Sequence, residues 1–284
     1  MDESDPMETI GQMKEAIDSS TGAPNQSGNS DKMLKRSRRW TIAAALLLVI
    51  GPMLYTAARH EVSRWYHAAA KDATYNDDHA TSLQKIIKAR EWNPGDPNLS
   101  IEEVGAYLRV GQADKAASVS DHFLESSEQR YAMMPTKPNE FELAAALNQS
   151  AYSHALANTD LEQALKNVER SIRLRGGLPS GSIDTRGYLH HLLGNKDQAV
   201  KDTELAVAGF EAALQRQKTS VRQEAQFFVD KTPLEYAEKQ LNETHAVLLH
   251  HRGLAYEAAG RAEEAKEDFE KAKELGYSPE NGVW

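Results

Sequence analysis

Histidine supplies most of the candidate chemistry in this 284-residue chain, and no cysteine stands beside it. Without cysteine there is no thiolate nucleophile, no disulfide framework and no Cys-ligated zinc or iron–sulfur site. Of the ten histidines, four form the adjacent pairs His190-His191 and His250-His251. Neighbours on a helix point about 100° apart, so neither pair converges on one metal ion. Gly176 to Ser182 has the glycine spacing of a phosphate loop, but no lysine follows Gly181 and the stretch follows an expected helix rather than a strand. No G-x-S-x-G elbow and no H-E-x-x-H pair occurs. The expectation is a chain with no catalytic residues, no metal site and no cofactor, hence not an enzyme. A formal net charge of −9 excludes general nucleic-acid binding.

The elements around these residues are helical. The chain has 39 Ala and 27 Leu against 12 Val and 9 Ile, a ratio that favours helices over a sheet. Residues 1–39 run through Ser, Gly, Asn, Asp and Glu with few large apolar side chains, which predicts a disordered cytoplasmic tail. Trp40 to Ala58 is a charge-free run of 19 residues. As a helix it would reach about 28 Å, close to the hydrocarbon thickness of a bilayer, with Trp40 and Tyr55 near its two interfaces. Lys32, Lys35, Arg36, Arg38 and Arg39 precede it, against Arg59 and Arg64 soon after. That asymmetry predicts a single-pass inner-membrane anchor with the N-terminus cytoplasmic and the body periplasmic or otherwise extracytoplasmic. A start at Met33 would turn the same run into a cleavable signal, with Thr56-Ala57-Ala58 as the cleavage site. From Arg59 onward there are 27 basic and 35 acidic residues, an acidic body of −8. Residues 59–79 read as a helical linker, and 280–284 as a short tail.

The body repeats itself. Ala246–Pro279 places Gly253, Tyr256, Gly260, Ala265, Phe269 and Ala272 at the offsets of two small-residue-lined helices joined by a glycine turn. Gly187, Gly194, Ala199 and Ala206 repeat that spacing in Ser180–Ala213, with His190 and Thr203 in the aromatic places; His190 is therefore expected at a packing position. Ala151, Ala164 and Val168 do so in Ala144–Leu174 after one inserted residue, and Tyr107, Gly111 and Ala116 in Pro97–Arg130. Ile86, Ala89, Trp92 and Pro94 look like the second half of a further unit. Asp96-Pro97 reads as an N-cap with proline at the first helical position, and Thr159–Glu162 and Asn195–Gln198 have capping-box spacing. Met133–Asn139, with Pro135 and Pro138, reads as a loop. The starts at 180 and 246 lie 66 residues apart. The excess is expected to form an elongated antiparallel hairpin over 197–245, with a degenerate extra repeat as the alternative. Phe210, Leu214, Val221, Phe228, Leu234 and Leu241 are its apolar points.

This pattern resembles the tetratricopeptide repeat (TPR) over residues 80–279. The resemblance implies an all-α, TPR-like α-solenoid of helix-turn-helix units. It also implies an inner wall formed by first-helix positions two, five, nine and twelve. Those positions give a partner-binding groove of Asn148, Tyr152, Asp184, Tyr188, His191, His250 and Glu257. Lys and Arg are missing from them, so capture of a partner's terminal carboxylate is not expected. Amides, rings and acids suit an extended peptide. The function implied is a membrane-anchored scaffold or adaptor for protein or peptide partners at the outer face. The alternative is a periplasmic folding or assembly helper. Self-association through 197–245 is a further option.

Overall fold

The computed structural model describes residues 30–225 and 232–279; of these, the side chains of 30–49 and 217–235 lie outside the described set. Among the described residues there are ten helices and no strand: α1 (Ser30–Tyr75), α2 (His79–Trp92), α3 (Pro97–Arg109), α4 (Ala113–Met133), α5 (Lys137–Ala157), α6 (Leu161–Arg175), α7 (Ser180–Leu192), α8 (Lys196–Ala225), α9 (Thr232–Ala258) and α10 (Ala262–Glu274).

The chain divides after Thr56 into two compact units. The described element of the first is the leading part of α1, which continues through Pro52. Residues 1–29 of the expected tail lie outside the described residues, as do the side chains over the first half of the expected 40–58 span. Among the described residues no helix is long and apolar enough to cross a membrane.

The second unit is a stack of helix pairs. α3 packs on α4, α5 on α6, α7 on α8 and α9 on α10, and the first helices also pack on one another in the order α3, α5, α7, α9. Those two kinds of neighbour define a helical-repeat array. The alanines expected in the second helices, Ala116, Ala164, Ala199 and Ala265, are each at most 3% exposed, because a methyl group there lets the paired axes approach. Between paired helices the chain turns through positive φ at Gly111, Gly194 and Gly260. In the α5–α6 pair Asn158 and Asp160 adopt it instead, as short polar side chains can. The inserted residue of that repeat lies in this turn.

Several local expectations change. The Thr159 capping box does not form: Asp160 is the N-cap of α6, left-handed and without a side-chain cap bond, and Thr159 Oγ1 pairs with His154 Nδ1 at 2.9 Å. The expected 133–139 loop is shorter, because α5 opens at Lys137 under a Thr136 cap with Pro138 in its first turn. A first-turn proline lacks only an N–H that would have no helical partner anyway. Asp96 does cap α3, accepting from Asn98 N at 3.0 Å.

Residues 59–79 are more than a linker. Ser63 Oγ donates to Ala89 O at 2.9 Å and Arg59 Nε to Trp92 O at 3.0 Å. Ala70 joins Leu83, Ile86, Ala89, Leu99 and Ala106 in one buried cluster. The last part of α1 thus supplies the missing first helix for α2. At the other end α8 and α9 pack along each other beyond the repeat, with Phe210 and His245 rings 5.4 Å apart and His245 Nε2 3.1 Å from Glu211 Oε1. Of the other expected apolar points, Phe228 lies outside the described residues, and the side chains of Val221 and Leu234 lie outside the described set.

Candidate functional site

The row of first helices brings one cluster together. Asp184, in the second turn of α7, accepts a hydrogen bond on Oδ2 from His251 Nδ1 of α9 at 2.8 Å. Both are almost inaccessible, at 4% and 2% exposure. An ionised carboxylate only accepts, so the bond holds the His251 proton on Nδ1. Tyr188 follows Asp184 by one turn, and its ring lies flat on His251, centroids 4.2 Å apart and planes 8° apart. His191 continues the pile at 6.3 Å and 10° from Tyr188. Tyr152 arrives from α5 and meets His251 edge-on at 6.1 Å. Asn148 stands one turn before Tyr152 on the same helix.

Four of the seven expected groove residues, Tyr152, Asp184, Tyr188 and His191, therefore converge on His251, a residue the positional rule did not name. His250 turns away, as adjacent helical residues must, and stacks on Tyr277 at 3.9 Å and 15° with Phe269 at 5.2 Å. It belongs to the join between α9 and α10. Glu257 is exposed at the far end of α9, close enough to His191 to favour that ring's protonated form.

Electrostatics follow from burial. Desolvation, reinforced by the Asp184 charge, pushes both Tyr152 and Tyr188 hydroxyls above their ordinary pKa, so they stay neutral donors. Burial lowers His191 and, with the neighbouring His251, pushes His250 down to about 4. Asn148 Oδ1, Asp184 Oδ1 and His191 Nδ1 are buried without a hydrogen-bond partner among the described residues. An unpaired buried polar atom costs about 1–3 kcal/mol, so the fold holds open hydrogen-bonding capacity here. Among the described residues no group of three or more His, Cys, Asp or Glu could hold a metal ion.

A cleft lies elsewhere on the array, under the first half of α9. The first half of α9 passes over α3 and the end of α1. Lys239 Nζ meets Asp77 Oδ1 at 2.7 Å, Glu243 meets Arg109 at 3.8 Å, and the Tyr236 and Tyr75 rings are 5.7 Å apart. The cleft beneath it, of about 770 Å³, has walls that include Lys71, His79, Glu102 and Ala106. The part of 197–245 considered for self-association thus spends Tyr236, Lys239 and Glu243 on helices of its own chain.

Residues 246–275 match the family described as tetratricopeptide repeat, so the second half of α9 and α10 carry one such repeat. No curated protein matches the chain. Among solved structures, a crystal structure of MamA protein is 15% identical and covers 76% of this chain and 92% of its own, with a TM-score of 0.37. A second, MamA MSR-1 C2, is 14% identical over 75% of this chain and 95% of its own, with a TM-score of 0.35. A tetratricopeptide repeat protein from Parabacteroides merdae is 14% identical over 77% of this chain and 94% of its own, with a TM-score of 0.23.

Proposed function

We propose that the chain is a protein-interaction scaffold that binds an extended peptide segment along α5, α7 and α9, and that residues 40–58 tether it to a membrane. One observation carries the binding half. The first helices bring rings from Tyr152, Tyr188 and His191 together with three buried polar atoms, Asn148 Oδ1, Asp184 Oδ1 and His191 Nδ1, that have no hydrogen-bond partner among the described residues. Rings and polar groups with spare hydrogen-bonding capacity are what an extended backbone and its side chains use. On this reading the Asp184–His251 pair fixes ring orientation and does not turn over a substrate.

The tether rests on the charge-free run Trp40–Ala58 and on the five cations that precede it. On this reading residues 59–284 lie outside the cytoplasm, where anchoring raises the local concentration of the stack near other membrane proteins. Co-purification of the full chain from mild detergent, with Tyr188→Ala as the control, tests the scaffold: specific partners should be recovered with wild type and lost with the variant. Recovery of the chain alone, with other envelope complexes intact, defeats it. Broad, weak binding across a peptide array would favour a folding helper over a dedicated adaptor. A phosphatase fusion at Trp284 should be active if the body is extracytoplasmic and silent if it is cytosolic.

A further inference from the structure

Gly105 stands in the interior of α3, where glycine is less stable than alanine, and packing does not explain it. Elsewhere in this chain the same cost is offset by close approach: a Cβ on Gly187 or Gly253 would strike the partner helix, at 2.8 and 2.6 Å. A Cβ on Gly105 would meet nothing within 4 Å. The open space is the cleft of about 770 Å³ under the first half of α9, which Gly105, Ala106 and Ile86 help to line. That volume falls within the range of about 300–1,000 Å³ common to ligand pockets. Gly105 also holds the ninth place of its repeat, where α5 carries Tyr152, α7 Tyr188 and α9 Leu254. Those helices fill the place with a ring or an aliphatic side chain, and α3 leaves it bare.

The walls suit a ring. Tyr75 and Tyr236 line the cleft with centroids 5.7 Å apart, and Tyr75 is 39% exposed, so ring surface is within reach of a guest. Hydrogen-bonding capacity is spare beside them. The Arg109 guanidinium makes no hydrogen bond to a described residue, its ion-pair neighbour Glu243 lying 3.8 Å away, and His79 Nδ1 is buried without a partner. Charge argues against an ionic guest. Lys71 is answered by Glu102 and Arg109 by Glu243, each at 3.8 Å, and Asp72 is exposed to water. A charged guest would attract one member of a pair and repel the other.

We infer that this cleft is a binding site of its own, taking an uncharged aromatic group that lies over Gly105 against Tyr75 and Tyr236, with a neighbouring carbonyl oxygen accepting from Arg109. An aromatic side chain of a partner, with its backbone carbonyl, has that chemistry, and so does a free aromatic amide. The site is built from α1, α3 and α9 and does not depend on the peptide path along α5, α7 and α9, so failure of either reading leaves the other standing.

Photoaffinity labelling of the full-length chain in mild detergent tests this. The free probe is N-acetyl-p-benzoylphenylalanine amide, and the peptide probe is a blocked dodecapeptide carrying the same photoreactive residue. Labels mapped by mass spectrometry should fall within 70–75, 102–109 or 236–240. Excess N-acetylphenylalanine amide should suppress them at concentrations about tenfold lower than the N-acetyl amides of aspartate or lysine, whose charges lose water in the cleft. Gly105→Leu fills the open space and should cut labelling about tenfold, since a guest would then have to overpack the cleft. Its melting temperature should equal or exceed that of wild type, because leucine is the better helix former. Should Gly105→Leu fail to fold, as judged by circular dichroism, Gly105→Ala carries the test with a loss of about twofold. Stronger labelling by the dodecapeptide identifies the guest as a partner's side chain, and stronger labelling by the free probe as a small aromatic molecule. Labels that fall only elsewhere, equal competition by the charged amides, or undiminished labelling of the folded Gly105 variants overturns the inference.

Discussion

The α7–α8 and α9–α10 pairs are one design executed twice, 66 residues apart. In each, an arginine on the first helix grips a buried aspartate on the second through two hydrogen bonds: Arg186 to Asp202 at 2.6 and 2.7 Å, Arg252 to Asp268 at 2.7 and 2.7 Å. In each, the next residue is a glycine facing the residue after that aspartate. There the copies part. A Cβ on Gly187 would lie 2.8 Å from Thr203 Cγ2 and 3.1 Å from the Thr203 backbone nitrogen, whereas the nearest atoms to one on Gly253 belong to the Phe269 ring, the first at 2.6 Å. The first pair closes by bringing backbones together around a small residue. The second closes by sliding a ring over a bare backbone. The ion pair fixes register, and the glycine accepts two different fillings.

The largest effect belongs to the shared clamp. Arg186→Met leaves Asp202 charged, nearly inaccessible and unpaired; breaking such a pair costs about 3 kcal/mol, the low end of the range because the arginine stems are partly exposed. Arg252→Met should cost at least as much, since Arg252 also lies 5.6 Å from the Tyr256 ring centroid. Thermal unfolding of both variants measures this. A loss below about 1 kcal/mol in either would show that apolar packing alone sets the register.

Next come the glycines, where the copies should diverge. Alanine adds about 1 kcal/mol of helix propensity in either place, against which the clash must be set. At Gly187 the obstacle includes backbone, so α8 must move, and Gly187→Ala should destabilise by about 2 kcal/mol. At Gly253 the ring can yield, and Gly253→Ala should cost about 1 kcal/mol. Adding Phe269→Thr to Gly253→Ala converts the obstacle to the smaller one of the sister pair. It should relieve the clash, read as a non-additive double-mutant cycle. Additivity would mean that the ring and the glycine do not interact.

The same contrast explains what could be read in advance. Small residues at fixed offsets are an intrinsic part of paired helices, so Gly187, Ala199, Gly253 and Ala265 announce the pairs. The clamps were equally legible in principle: each arginine precedes its glycine, each aspartate precedes the facing residue, and both spacings are 16. Tyr152, Asp184, Tyr188 and His191 followed from inner-wall positions. His251 did not, because it falls at the place where the sister repeat carries buried Thr185, and only the angle between successive first helices decides whether that place faces the groove. The crossing of α9 over α1 and α3 has no sequence signature, since its Lys239–Asp77 contact joins residues 162 apart without periodicity. Nor does the composition of residues 59–75, with charges at Arg59, Glu61, Arg64, Lys71 and Asp72, reveal that they supply a first helix to α2.

A smaller effect separates the two pairs by pH. His250 stacks on Tyr277 beside α10, and burial together with the nearby His251 holds its pKa at about 4 against an ordinary 6.5. The unfolded chain takes up the proton first as pH falls, so this contribution is intact above 6.5, erodes between 6.5 and 4, and is flat below. With solvent screening of a partly exposed ring, the loss should be about 1 kcal/mol. His250→Phe keeps a stacked ring without the titration. Its melting temperature should fall less than that of wild type between pH 7 and pH 4.5, and equal falls would assign the acid sensitivity to His190 and His191, which burial also lowers.

The smallest effect tests whether charge means the same thing at the crossing as in the repeats. Lys239 and Asp77 are 45% and 63% exposed, joined by a single bond on long or terminal side chains. Water competes for both ends, and ordering the lysine costs rotamer entropy, so Lys239→Ala should change stability by less than about 0.5 kcal/mol. The crossing is held instead by the aromatic contact of Tyr236 with Tyr75, whose rings lie 5.7 Å apart. Tyr236→Ala should therefore loosen the first half of α9 where Lys239→Ala does not, seen as faster amide exchange over 236–244. Equal exchange in the two variants would put the exposed ion pair on a par with the ring contact, and would undo the distinction between clamps that are buried and bidentate and contacts that merely meet at the surface.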